Sequence, residues 1–188
     1  MACAAITGAC AALRQSLVLL HGVEQPSAAL VKAVLINGCD PLLGAAMPHY
    51  ESGFGRIDLT NSLLPAGNMN EAGLQENRLT DDDERIFHTL IAPWSGQLRV
   101  TLVWTDPLGP LLQNDLDLVV RLHGHEFFGN NGPTINNSAI AVRDKSNNAE
   151  KVVREVIASD KVVIEVQASN VQFPPQDFVL VWRVLKEP

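Results

Sequence analysis

Asp115 and Asp117 stand two residues apart in the run Asn114-Asp115-Leu116-Asp117-Leu118-Val119-Val120. Apolar and polar residues alternate at its start, which predicts a strand, and residues i and i+2 of a strand share a face. Two carboxylates side by side repel by tenths of a kcal/mol, up to about 1 kcal/mol. A hard divalent cation removes that repulsion and prefers oxygen ligands, so the pair predicts a calcium site with Asp115 and Asp117 as ligands. Asn114, Asn130, Asn131, Asp144, Asn147 and Asn148 offer further oxygens. The plainer alternative has Asp115 capping a turn and Asp117 facing water.

Other chemistry is sparse. An acid pair also serves glycosidases, but no aromatic sugar platform accompanies it. His123 and His125 flank Gly124, a spacing that can hold zinc; with no third ligand at a recognisable distance, the stretch reads as an exposed hairpin tip. His49 and His88 stand alone, and His21 closes the first helix, where a partly charged ring suits the helix dipole. No GxSxG and no serine beside a base point to a nucleophile, and no glycine-rich phosphate loop follows a strand. Asp81-Asp82-Asp83-Glu84 reads as a solvated strand entrance. Cys3, Cys10 and Cys39 lack CxxC spacing, and Cys3 and Cys10 fall two helical turns apart, too far for a bridge along the helix; they read as buried thiols.

These residues must be held by a framework that changes character along the chain. Of 188 residues 46% are hydrophobic but only 5% aromatic, so the core is built of Val, Leu, Ile and Ala. The net charge of −7 excludes a nucleic-acid partner. Arg14 and Gln15 interrupt the first apolar run, and no basic residue precedes it, so neither a membrane span nor a signal peptide is expected. Residues 1–66 predict helices: Ala2 to Leu20, too apolar around its girth for a surface helix; a second after Pro26-Ser27, ending at Gly38; and a short one between Leu59 and Leu64. Residues 67–80, rich in Gly, Asn and Glu, read as a linker. From 81 to 188 the period shifts to two, with strands at 97–104, 116–120, 161–166 and 177–183, and weaker ones at 84–91 and 151–157. Short strands between Gly, Pro and Asn turns predict a β-sandwich or barrel, with Trp104 and Trp182 in its core. The whole is an α + β chain in two parts.

In their order, these segments resemble the C-terminal part of a subtilisin-like serine protease, of the subgroup with a β-sandwich behind the catalytic domain. Met1-Ala2 is similar to the end of the family's Gly-Thr-Ser-Met-Ala nucleophile motif. Pro26 to Ile36 is similar to the family's next helix, and Gly53-Phe54-Gly55-Arg56-Ile57 to the turn that closes the catalytic domain. Leu102 to Pro107, Asn114 to Val119, Gly129-Asn130, Asn147 to Glu150 and Ile164 to Val166 resemble the accessory sandwich. Ala4 departs from the family, which carries proline there, and the loop from Gly129 to Asp144 is short of an acidic residue. The resemblance implies that residues 1–66 are the helical end of a subtilisin-like α/β catalytic domain, and that 81–188 are an antiparallel, jelly-roll-like sandwich. It implies a secreted endopeptidase acting on polypeptide substrates, with calcium as a stabilising ion and the upstream catalytic segment as partner. It also places the serine just before Met1, so these 188 residues alone are expected to be inactive. The alternatives are a stand-alone sandwich binding module and an inactive truncated gene product.

Overall fold

The computed structural model describes residues 2–42, 48–130 and 143–186. Three helices come first: α1 (Ala2–His21), α2 (Ala28–Gly38) and α3 (Leu59–Ser62). Ser27 starts α2 by accepting the Leu30 amide at 3.1 Å, and Asp58 starts α3 by accepting that of Asn61 at 3.1 Å. Eight strands follow: β1 (Ala72–Leu79), β2 (Arg85–Ile91), β3 (Gly96–Trp104), β4 (Asn114–Leu122), β5 (His125–Phe128), β6 (Ala149–Val156), β7 (Lys161–Val171) and β8 (Gln176–Lys186). They form two antiparallel four-stranded sheets, ordered β1-β8-β3-β6 and β2-β7-β4-β5. Except at the β4–β5 hairpin, each connection carries the chain from one sheet to the other, so the two sheets close face to face as a sandwich.

The alternation within the strands sorts side chains into two cores. Leu98, Val100, Leu102 and Trp104 of β3 point inward against Leu116, Leu118 and Val120 of β4 and Val162, Ile164 and Val166 of β7. Each core indole satisfies its N–H on a backbone carbonyl, Trp104 on Asn114 at 2.9 Å and Trp182 on Met69 at 2.8 Å. On the other face of the first sheet, Ala72, Val103, Ala149, Val179 and Val181 receive Leu13 and Leu17 of α1 and Leu30, Ala33, Val34 and Ile36 of α2. The first sheet is therefore buried on both faces, which is why β3 and β8 run almost continuously buried while β2 alternates.

A polar joint sits within this helix–sheet contact. The fully buried Asn37 donates to the Arg99 carbonyl at 3.2 Å, the Thr101 hydroxyl at 3.2 Å and the Val181 carbonyl at 3.3 Å. Arg99 donates to the Gly38 carbonyl at 3.1 Å and pairs with Asp40 at 2.7 Å. Lys151 donates to the Ile36 and Cys39 carbonyls, each at 2.8 Å, and burial holds its amine down to about 7. Gly38 lies so close to the Ser62 backbone that no Cβ fits, which ties α3 to α2.

Four sequence expectations are corrected. Residues 72–79, read as linker, form β1, because every residue from Ala72 to Leu79 pairs with β8 and the backbone ladder overrides a polar composition. In α1 only Ala9, Leu13 and Leu17 are buried; Ile6, Val18, Leu19 and Leu20 are open, so its apolar girth exceeds what this chain covers. Arg14 does not interrupt it: α1 is long and apolar enough to cross a membrane, a test that the core helix of a soluble protein or a signal sequence also passes. Finally, Cys39 is buried, but Cys10 is half-buried in the open groove between α1 and α2, and Cys3 is exposed.

Replacing Asn37 by alanine removes three buried hydrogen bonds that join α2 to the first sheet. Asn37→Ala is expected to lower the unfolding free energy by about 2 kcal/mol or more, read from urea denaturation.

Candidate functional site

The carboxylates singled out in the sequence lie where β5 ends and leaves β4 without a neighbour. β5 pairs only with Val119 to Leu122, so among the described residues no strand pairs with the outer edge of the first half of β4. Glu150 of β6 fills that gap from the opposite sheet: its carboxylate accepts the Leu118 amide at 2.6 Å, while Gly129 donates its amide to the Leu118 carbonyl at 2.9 Å. Gly129 packs against the Glu150 side chain so tightly that a Cβ there would collide with it. Asn130 closes the corner, accepting the Lys151 amide at 3.0 Å and donating to Asp144 at 2.6 Å and to the Ala149 carbonyl at 2.8 Å.

Asp115 and Asp117 occupy one face of β4, around Arg143. The guanidinium of Arg143 bonds Asp117, meets Gln167 at 3.0 Å and lies over the Phe128 ring at 5.2 Å. The Ser169 hydroxyl donates to the same Asp117 carboxylate. Asp115, Arg143, Lys145, Gln167, Ser169 and Asn170 line a cleft of about 490 Å³. Burial first, and then the charge of Asp117, push Asp115 up to about 6. Burial pushes Glu150 well above the usual carboxylate range, with Asp117, Asp144 and Asp115 adding to it and the Leu118 amide opposing it.

The corner therefore holds Asp115, Asp117, Asp144 and Glu150 against Arg143 and Lys145. Two carboxylate oxygens, Oδ1 of Asp115 and Oε1 of Glu150, are buried without a hydrogen-bond partner among the described residues. In donor type and charge this fits a hard divalent cation, which takes about six to eight oxygens. Two features bear on the fit. Asp117 is already engaged by Arg143 and Ser169, and among the described residues no three His, Cys, Asp or Glu side chains converge on one point. Glu150 is the residue that sequence reasoning missed as a candidate ligand. Its signal, Asn148-Ala149-Glu150 entering a strand, does not show that the side chain crosses to the other sheet.

The remaining candidates disperse. His123 pairs with Asp160 at 2.7 Å at the β4–β5 turn, while His125 lies exposed beyond it. His21 meets the Leu64 carbonyl at 3.1 Å, and the His49 ring accepts the Glu51 amide. Among the described residues no serine hydroxyl bonds a histidine ring. Asp82 accepts the Val171 amide at 2.6 Å and Glu84 the Thr80 amide at 2.7 Å, so the acidic run anchors turns as well as facing water. A cleft of about 890 Å³ lies beside the start of α2, floored by Val179 and crossed by the exposed Arg78–Asp177 pair at 2.5 Å.

The sequence matches no protein-family model. It is 29% identical over 175 residues, 85% of this chain, to the serine protease/ABC transporter B family protein tagA of Dictyostelium discoideum. The chain spans 10% of the length of that relative. Among solved structures, it is similar to the pre-peptidase C-terminal domain of a collagenase from Bacillus anthracis, with a TM-score of 0.42 and 8% identity over 60% of this chain and 90% of that one. It is also similar to the Yersinia pseudotuberculosis-derived mitogen, with a TM-score of 0.38 and 10% identity over 63% of this chain and 89% of that one.

Asp115 titrates higher in the folded chain than its ordinary 3.8, so between about pH 4 and 6 the folded state binds more protons than the unfolded one. Its ionised form is thus destabilising at pH 7, and the penalty fades as pH falls through 6. Without divalent cations, Asp115→Asn is expected to raise Tm at pH 7 by on the order of 2 °C, with the gain shrinking as pH falls below 6 and mostly gone by about pH 4, as read by thermal melts at both pH values.

Proposed function

We propose that this chain is the C-terminal portion of a serine endopeptidase, with a β-sandwich that stabilises the catalytic domain. The single observation that carries the reading is α1: a 20-residue helix of core composition, seated on a sandwich that is already closed, with most of its apolar girth open. A helix of this kind has its complement elsewhere. The apolar groove between α1 and α2, lined by Cys10, Ala11, Val31 and Leu35, extends the same open surface. The similarity to a relative named as a serine protease, of which this chain matches a tenth, supports the same reading.

The finer proposal is that the endopeptidase is a secreted subtilisin-type enzyme cutting polypeptides. Residues 1–66 are then the helical end of its catalytic domain, 67–80 the passage out of it, and 81–188 the sandwich. The upstream catalytic segment is the partner of α1 and supplies the Asp, His and Ser. Calcium at the β4–β6 corner belongs to the same proposal. Glu150 and Asp115 present their free oxygens to it, and Asp117 joins after Arg143 moves aside. Bound there, the ion supplies positive charge and joins loops; it takes no part in peptide cleavage.

Two experiments test this. The full reading frame that contains this chain is expected to react with a fluorophosphonate serine probe and to cleave casein, while the 188 residues alone do neither. A full-length protein that ignores the probe sinks the endopeptidase reading. Separately, millimolar calcium is expected to raise the Tm of this chain by a few degrees, an increase of roughly RT ln(1 + [L]/Kd) in stability, and Asp115→Asn combined with Glu150→Gln is expected to abolish the rise. Identical melts in calcium and chelator remove the ion from the proposal and leave the endopeptidase reading standing.

A further inference from the structure

The two sheets face each other almost without ionisable side chains. On the inward faces at one edge stand Gly73, Gln75, Asn77 and Leu79 of β1, Phe178, Leu180, Trp182 and Val184 of β8, and Val162, Ile164, Val166 and Ala168 of β7; none carries a charge. Glu150 and Arg154 of β6 share the inward parity but lie at the far edge of the first sheet. His88 of β2 is the exception at the near edge. It pairs with Ile164, and its ring stacks on the Trp182 indole, with centroids 4.0 Å apart and planes tilted by 34°. Its Nε2 is buried without a hydrogen-bond partner.

That arrangement suits one protonation state. A neutral ring with its proton on Nδ1 leaves a bare lone pair at Nε2, which the apolar site tolerates. Protonation puts a charged N–H in the same place with no acceptor. The indole face attracts the imidazolium, but the tilted stack leaves the new N–H unsatisfied, and a stranded charged donor outweighs a cation–π contact. No neighbouring charge offsets it: burial is the sole cause that lowers the basicity of the ring, and Glu71, on the approach to β1, acts on Arg183 instead.

The place matters as much as the chemistry. The strand that follows the helices enters the sandwich at this edge. Asn70 accepts the Ile91 amide at 2.9 Å, Met69 accepts the Trp182 indole N–H at 2.8 Å, and Glu71 accepts the Val184 amide at 2.7 Å. Three bonds thus tie residues 69–71 to the strands that carry His88 and Trp182, one of them to the very indole on which His88 stacks. We infer that His88 is an acid-sensitive latch between the sheets, and that protonating it loosens the edge where the helical segment joins the sandwich.

A base whose folded pKa lies below its ordinary 6.5 contributes stability that is present above that pH and is lost as pH falls through 6.5 toward the folded value. Each unit of depression weakens the folding equilibrium about tenfold at low pH. The test is a proton NMR titration of the imidazole Cε1–H signals of the 188-residue chain, with the His88 signal assigned by its loss in His88→Phe and in His88→Gln. Urea denaturation of all three proteins at pH 7 and pH 5 accompanies it. A His88 ring titrating below 6.5, with a loss of stability in the wild type that neither variant shares, is expected; amide exchange of β1, corrected for intrinsic rates, is expected to quicken at pH 5 in the wild type alone. A ring titrating at or above 6.5, or the same pH dependence with and without His88, overturns the inference. Should one variant fail to fold, the other variant and the wild-type titration still decide it.

Discussion

The capture of the end of α2 by the first sheet is the contact on which the rest of this chain depends. The last carbonyls of a helix have no partners within it, and burying them bare is costly. Here those of Ile36, Gly38 and Cys39 are met by the Lys151 amine and the Arg99 guanidinium, two donors that reach up from neighbouring strands of the sandwich. The partial negative charge at the helix end favours such donors. Asn37 runs the contact in the other direction, spending its amide hydrogens on the sheet. Apolar packing alone would let α2 slide on Val103, Val179 and Val181. Directional bonds from both sides fix its rotation and register, and through Leu30 and Val34 they fix the seat of α1.

From that contact follows an asymmetry between the sheets. The first sheet is covered on both faces, so where the helices lie its outward residues are small or branched, and Arg99, Lys151 and Arg183 are committed to the helical segment. Among the described residues the second has helices on neither face, and its outward residues can remain polar. Glu165 sits there between Arg85 and Arg121, and Asp117 beneath Arg143. The acidic corner arises where this polar face meets the gap left by the short β5. Glu150 belongs to the covered sheet but turns inward to complete β4, which brings a carboxylate from one sheet into the field of those on the other. A buried carboxylate in that position stays protonated or finds a cation.

Much of this was legible because periodicity reports burial. The spacing of Ala28, Leu30, Val31, Val34 and Leu35 pointed to α2, Ser27 to its start, and the runs at 97–104 and 177–183 to the two most buried strands. What escaped was whatever depends on pairing at a distance. Glu76-Asn77-Arg78 has nothing of a strand in its composition and becomes one because β8 offers a free ladder. The pairs Lys151 with Ile36 and Asn37 with Val181 link residues more than a hundred positions apart, which no local pattern reveals. Asp115 and Asp117 were visible as a pair because both lie on one strand. Glu150 and Arg143 were not visible with them, because their approach is a property of the sandwich closing. Asn131 lies outside the described residues.

The two cores also divide the work of the chain. The inter-sheet core is complete: Trp104, Trp182 and Phe178 are fully enclosed, with both indole N–H groups satisfied. The helix–sheet core is complete only on its lower side, where Leu13, Leu17 and Leu30 meet the sheet, while Leu19 and Leu20 lie open above it. Burying such side chains contributes about 1.5–3 kcal/mol each, so an open apolar helix gains strongly from any complementary surface. The sandwich, needing nothing further, can hold α2 in a defined place; α2 in turn holds α1, and α1 carries the unfinished face outward. Order thus passes from the self-sufficient end of the chain to the insufficient one.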